Sequence, residues 1–111
     1  MDWKPLLWVG SSRDDLRPFP VPARRRAGYE LDLVQRGFQP TDFKAMPVVG
    51  AGVYELRIRA GGAFRVFYVV RFEEALYVLH AFQKRSRRTS QLDIDVGARR
   101  YREVVSSRSR P

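Results

Sequence analysis

VYELRIRAGGAFRVFYVV, residues 53–70, alternates in character on both sides of a glycine pair. A period of two is the signature of a strand, because successive side chains leave opposite faces. In the first run Tyr54, Leu56 and Ile58 share one face, and Glu55, Arg57 and Arg59 share the other. In the second, extended to residue 72, Phe64, Val66, Tyr68, Val70 and Phe72 oppose Arg65, Phe67, Val69 and Arg71. Gly61-Gly62 marks the hairpin turn. With both apolar faces against one core, parity allows Arg65 only an odd-numbered neighbour. A three-residue turn, Ala60-Gly61-Gly62, puts Arg57 there; a five-residue turn puts Arg59 there. Either way two arginines stand side by side on the face away from the main core. Like charges directly opposite destabilise a sheet by some tenths of a kcal/mol, so replacing Arg65 should relieve repulsion. Glu55 offsets part of it. A bound phosphate would do so better, because guanidinium groups match phosphate oxygens bidentately. A solvated arginine face is the alternative on this geometry alone.

A third apolar run, Leu76–Lys84, follows the turn residues Glu73-Glu74 and leads into KRSRRT, residues 84–89. His80 is the only histidine. If the turn is Glu73-Glu74 alone, His80, Phe82 and Lys84 share the Arg65 face; one residue more would send them to the core. The shorter turn is taken here. A lone histidine beside leucine and phenylalanine reads first as structural and second as catalytic.

Upstream, LLWVG (6–10) reads as a strand. Ser11-Ser12 followed by Asp14-Asp15 opens a short helix, which Pro18, Pro20 and Pro22 end. Pro22 suits the start of a second helix, with Ala23, Ala27, Leu31 and Val34 at helical spacing and a stop at Gly37. Arg24-Arg25-Arg26 fall near its N-terminus, where cations are disfavoured. They read first as a solvated face and second as a docking surface for RNA or an acidic partner. Residues 38–52, rich in Pro and Gly, read as a loop. Thr89-Ser90 with Asp93 resembles a capping box and opens a last helix with Ile94, Gly97, Ala98, Tyr101 and Val105 on one face. Gly97 weakens it by about 1 kcal/mol relative to Ala. The expectation is one domain over 1–105 with a frayed basic tail over 106–111. Its fold is α+β, β-α-α-β-β-β-α, with an antiparallel sheet and helices packed mainly on one face.

At 111 residues, with 44% hydrophobic and 13% aromatic content, one core can stabilise the chain. There is no cysteine, hence no disulfide framework and no Cys-based zinc site. No stretch approaches the roughly 18 apolar residues of a membrane span, and no signal-peptide pattern opens the chain. A soluble cytoplasmic protein without membrane partners is expected. The net charge of +9 predicts an acidic partner. The excess is clustered: residues 83–111 hold nine Lys/Arg against three Asp/Glu.

Glu55-Leu56-Arg57, a glycine turn, Phe64-Arg65-Val66-Phe67-Tyr68, the strand ending Leu79-His80-Ala81-Phe82-Gln83-Lys84-Arg85, then Thr89 and Asp93-Ile94 form an ordered set. In order and spacing it resembles the HigB-type, phage-derived branch of the RelE/ParE superfamily of bacterial type II toxins. The match runs over about residues 53–102. Ser90 stands where the family has proline, Arg85 where it has a second lysine, and Gly97 where Ala is common. The resemblance implies a RelE-like fold and a toxin that cleaves translated mRNA in the ribosomal A site. It also implies a cognate antitoxin, commonly a HigA-like helix-turn-helix protein.

Metal-free RNA cleavage needs a deprotonated 2′-OH, charge stabilisation at the phosphate and a protonated leaving oxygen. No cofactor or metal is expected. Arg65 is assigned to the scissile phosphate with Arg57 in support. Lys84 is a phosphate binder or acid/base, and His80 a possible acid/base. Arg59, Arg85, Arg87 and Arg88 are expected to contact RNA, and Phe82 or Tyr101 to stack on a base. Two rivals stand: a ParE-like gyrase inhibitor, and a non-catalytic basic RNA-binding or regulatory module, whose cations would serve the backbone equally well.

Overall fold

The computed structural model describes residues 3–109. The elements are β1 Leu6–Trp8, α1 Ser12–Leu16, α2 Val21–Gln35, β2 Phe43–Ala45, β3 Val53–Arg59, β4 Ala63–Val69, β5 Leu76–Gln83 and α3 Gln91–Arg108. This is a small α+β fold, compatible with a RelE-like one. One five-stranded sheet has the order β1-β5-β4-β3-β2. The β3–β4 and β4–β5 pairings are antiparallel as expected and β2 adds a third, but β1 runs parallel to β5, Leu6 opposite Leu76, so the sheet is mixed. β1 and β5 are not consecutive: the chain passes from β1 through α1 and α2 to β2 at the opposite edge and returns strand by strand to β5.

The helices do not gather on one face. Leu16, Phe19, Ala23, Ala27, Leu31 and Val34 of the α1–α2 region pack on Leu56, Ile58, Phe64, Val66, Tyr68 and Val78. α3 covers the other face, where Val104, Ile94 and Tyr101 join Val49, Val53, Phe67, Val69, Leu79 and Phe82. The face expected to lie open therefore has its own core. Gly97 explains how α3 comes so close. A Cβ there would meet Phe67 Cδ2 at 2.7 Å and Val49 at 3.0 Å. The glycine that weakens the helix thus lets it seat on the sheet.

α3 is also rotated from the expected face. Arg100 and Val104 are buried, while Val105 is exposed. An arginine was not counted as an inward residue, yet Arg100 finds partners inside. Its guanidinium donates to Leu79 O (2.9 Å), Asp15 Oδ2 (3.1 Å) and Ser11 Oγ (2.8 Å). α3 continues past 106 to Arg108. Arg108 pairs with Glu74 at 2.6 Å and lies over the Phe72 ring; positions 110 and 111 of the expected tail lie outside the described residues. The segment expected as a loop over 38–52 contains β2, an edge strand.

The hairpin follows the three-residue turn. Arg59 pairs with Ala63 and Arg57 with Arg65, and Gly61 and Gly62 supply the positive φ angles of 72° and 149° that side chains resist. The β4–β5 register shifts between Phe67 and Tyr68, so Phe67 faces His80 but Tyr68 faces Val78. Leu79 is the extra residue of this bulge. The shift keeps His80 and Phe82 on the Arg65 face, the outcome expected from a short turn, although the connection after Val69 is longer.

Candidate functional site

On the α3 face three rows of side chains cross the sheet. Arg59, Ala63 and Lys84 form the first, where the Lys84 amide donates to Ala63 O at 2.8 Å. Arg57, Arg65 and Phe82 form the second; Glu55, Phe67 and His80 form the third. Strand alternation alone puts these residues together, since each row steps by two along every strand. The basic segment 84–88 leaves from the end of the first row.

The electrostatic centre is a buried carboxylate. Glu55 is 2% exposed and Arg65 4%. Glu55 Oε1 lies 3.4 Å from Arg65 Nε and 3.4 Å from Arg57 Nε. Its other oxygen accepts from the Thr89 hydroxyl at 2.9 Å. Glu55 is thus the counter-ion that lets two arginines stand side by side, so replacing Arg65 would remove an attraction as well as the expected repulsion. Arg65→Ala would leave a buried carboxylate with one partner fewer. Burial lowers the Arg65 guanidinium below its ordinary pKa; Glu55 raises it, and Arg57 and Arg59 lower it further. Arg65 NH1 donates to Phe64 O at 3.0 Å, while its buried Nε has no hydrogen-bond partner among the described residues. Arg57 is one-third exposed and has Asp42 3.9 Å from NH1. Arg65 is therefore buried while its cross-strand neighbour Arg57 reaches the surface.

His80 is held from two sides. Nε2 hydrogen-bonds Asp93 Oδ1 at 2.7 Å, and Asp15 Oδ2 lies 3.6 Å from Nδ1. The ring stacks on Phe82 at 5.0 Å, and Phe82 packs edge-on against Phe67. Asp93 is doubly used: its Oδ2 accepts from the Ser90 hydroxyl at 2.6 Å, and its amide donates to Ser90 Oγ. Ser90 caps the helix as expected, but the acid meets its hydroxyl rather than its amide, so half of the capping box forms, and the same acid fixes the histidine. Lys84 Nζ donates to Arg87 O at 2.6 Å, bending the basic segment back on itself.

Of the ten residues singled out from the sequence, Arg57, Arg59, Arg65, His80, Phe82 and Lys84 occupy the three rows. Arg85, Arg87 and Arg88 are exposed on the segment beside them. Tyr101 is elsewhere: its hydroxyl donates to Ala51 O at 2.9 Å and its ring covers Gly50. Thr89 and Asp93 enter the sequence reading as helix-start signals and as part of the family pattern, and Asp15 as a helix-start signal, none of them as a site residue. Their reach to Glu55 and His80 spans α1, β3, β5 and α3, and no local spacing carries it. Glu55 was weighed only as a partial offset, although its parity with Arg57 and Arg65 was the available signal.

The family model of phage-derived Gp49-like proteins (DUF891) matches residues 14–102. The chain belongs to this family. The Gp49-like family is one of RelE/HigB-like toxins, which implies an antitoxin as partner. No curated protein matches the chain. Residues 14–102 of this Gp49-like chain include α2, the hairpin, β5, the basic segment and the Asp93–His80 pair, so the whole arginine cluster lies inside the match. Among the described residues no helix is long and apolar enough to cross a membrane.

Proposed function

We propose that this Gp49-like chain is a HigB-type toxin that cleaves mRNA on the ribosome, needs no metal or cofactor, and acts in the cytoplasm. A helix-turn-helix antitoxin of the HigA-like kind would neutralise it. The observation that carries this reading is the Arg57–Arg65 pair bridged by Glu55, beside the exposed cations of segment 84–88.

Arg57, the exposed member, meets the scissile phosphate first. Arg65 reaches it when Thr89, at the end of the basic segment, lets go of Glu55. The oxygen so freed is Oε2, which takes the 2′-OH proton, while Oε1 stays 3.4 Å from the Nε of both guanidiniums. The 2′-oxygen attacks phosphorus, the two guanidiniums hold the added negative charge, and the 5′-oxygen leaves with a proton from Lys84. The products are a 2′,3′-cyclic phosphate and a 5′-hydroxyl. The ribosome supplies alignment, which is worth much of the barrier when reacting groups are held in place. His80, committed to Asp93, keeps Phe82 stacked beside Arg65. Arg59, Arg85, Arg87 and Arg88 hold flanking RNA.

Induced expression without a partner tests this. Protein synthesis should stop within minutes while DNA synthesis continues, and Arg57→Ala and Arg65→Lys should each lose the arrest while still folding. An early stop in DNA synthesis would favour gyrase inhibition, and growth without any arrest would favour a plain binding module. Either result defeats the reading.

A further inference from the structure

The three arginines at the start of α2 take no part in the arginine cluster described above. One of them, however, meets it around the edge of the sheet. β2 pairs with β3 only as far as Leu56 and the Arg57 amide still reaches Asp42 O, so the free edge begins beyond Arg57. There a cleft of about 390 Å³ is lined by Arg57 and Arg59 from β3, Arg26 and Glu30 from α2, and Thr41 and Asp42 from the connection between them.

Its polar groups are unevenly spent. Glu30, 2% exposed, accepts from the Thr41 amide at 3.2 Å and has Arg26 at 3.5 Å. Asp42 is half-exposed and only 3.9 Å from Arg57, too far for a hydrogen bond. Arg59 has no hydrogen bond or ion pair among the described residues. The Arg57 amide donates to Asp42 O, so the Arg59 amide, two residues on, points off the same edge, where no strand follows. α2 begins at Val21 with Pro20 as N-cap, no side-chain cap and no acid in its first turn; Arg24 closes that turn, and Arg25 and Arg26, the latter lining the cleft, follow it. Cations are unfavourable at that end of a helix, and a bound anion would offset the cost.

We propose that this cleft binds a phosphate of the RNA backbone next to the one held at Arg65, with Arg57 shared between the two sites. The inference rests on the reading of the chain as an RNA-cutting toxin, and it sets the path of the substrate: from the basic segment 84–88, across the arginine pair, around the β3 edge to α2. Guanidinium forks fit phosphate oxygens in pairs. A free backbone amide beside them completes the coordination a tetrahedral anion prefers.

The test is binding of a short unstructured single-stranded RNA across a range of salt concentrations. Arg59 is the residue to change, since it has no internal partner and its loss leaves no buried charge behind. Each phosphate contact on a single strand contributes about 0.7 to the slope of log K against log salt. Arg59→Ala should lower that slope by about 0.7 and weaken binding several-fold, and Arg59→Lys should keep the slope. Arg102→Ala, an exposed arginine on α3, should change neither. If Arg59→Ala binds RNA with unchanged slope and affinity, the cleft is not a phosphate site, while the toxin reading stands. If the wild type instead binds an acidic peptide through Arg59 and not RNA, the cleft docks a protein and the proposal is overturned.

Discussion

The two faces of the sheet are built from the same strands but to different rules. The α1–α2 face buries fourteen apolar residues in one cluster, and Glu30 at its border is the buried charge on that side. The α3 face buries nine and places Glu55, Arg65, His80 and Arg100 among them. Apolar packing is the cheapest way to stabilise a domain, and exchanging a buried ion pair for apolar residues is commonly neutral or favourable. Concentrating charged groups on one face therefore costs stability that the other face must supply, and such concentration is where function is to be sought.

The comparison can be broken first on the apolar face. Leu56 is fully buried between α2 and the sheet. Leu56→Ala should cost about 2–5 kcal/mol through lost burial and a cavity, seen in denaturant unfolding, while toxicity of the folded fraction persists. If toxicity disappears with the fold intact, the faces do not divide the labour as described.

Gly97 sharpens the same contrast on the α3 side. Gly97→Ala would gain about 1 kcal/mol of helix propensity. It would also press a methyl on Phe67, which is fully buried and cannot yield, at about 1–3 kcal/mol. The net result should be a loss of about 1 kcal/mol on thermal unfolding; a gain would mean that α3 sits less closely on the sheet than these distances show.

How much of this division the sequence revealed follows from the range of each interaction. Arg57 opposite Arg65 was legible, because strand parity and a glycine turn leave two registers and the shorter one holds. The placement of Arg59 came from the same parity, whereas that of Lys84 and Phe82 rested on a two-residue turn, and the longer connection with its bulge restores it. The bulge at Leu79 was not legible, although it conserves the expected facing of His80. The sequence reading also left the second face open. Gly97 was placed on the inward face of α3, but Arg100 and Val104, also buried, look like a surface charge and an outward valine until Leu79 O and Asp15 are placed around them. Burial of Arg65 was missed for a related reason: Thr89 reaches Glu55 across 34 residues, and alternation says nothing about such contacts.

The smallest effect concerns the end of α3. Hydrogen bonding from Arg108 holds the Glu74 carboxyl down at about 2. A carboxyl lowered on folding stabilises fully above its unfolded value of about 4.5. That contribution is lost as pH falls from there towards 2. Glu74→Gln should therefore flatten the acid limb of stability slightly over that window and leave neutral pH almost unchanged. Equal acid limbs in both proteins would mean that Arg108 and Glu74 are not paired in solution.

The central claim is that the Glu55–Arg65 pair serves function rather than stability, and the double variant Glu55→Gln, Arg65→Met tests it most directly. It removes both buried charges and keeps their volume, and Arg57 retains a hydrogen-bonding neighbour. Denaturant unfolding should place it within about 1 kcal/mol of the wild type or above it. Its arrest of protein synthesis should fall by about a hundredfold or more. A double variant that is several kcal/mol less stable, or that still arrests synthesis at the wild-type level, would contradict the account.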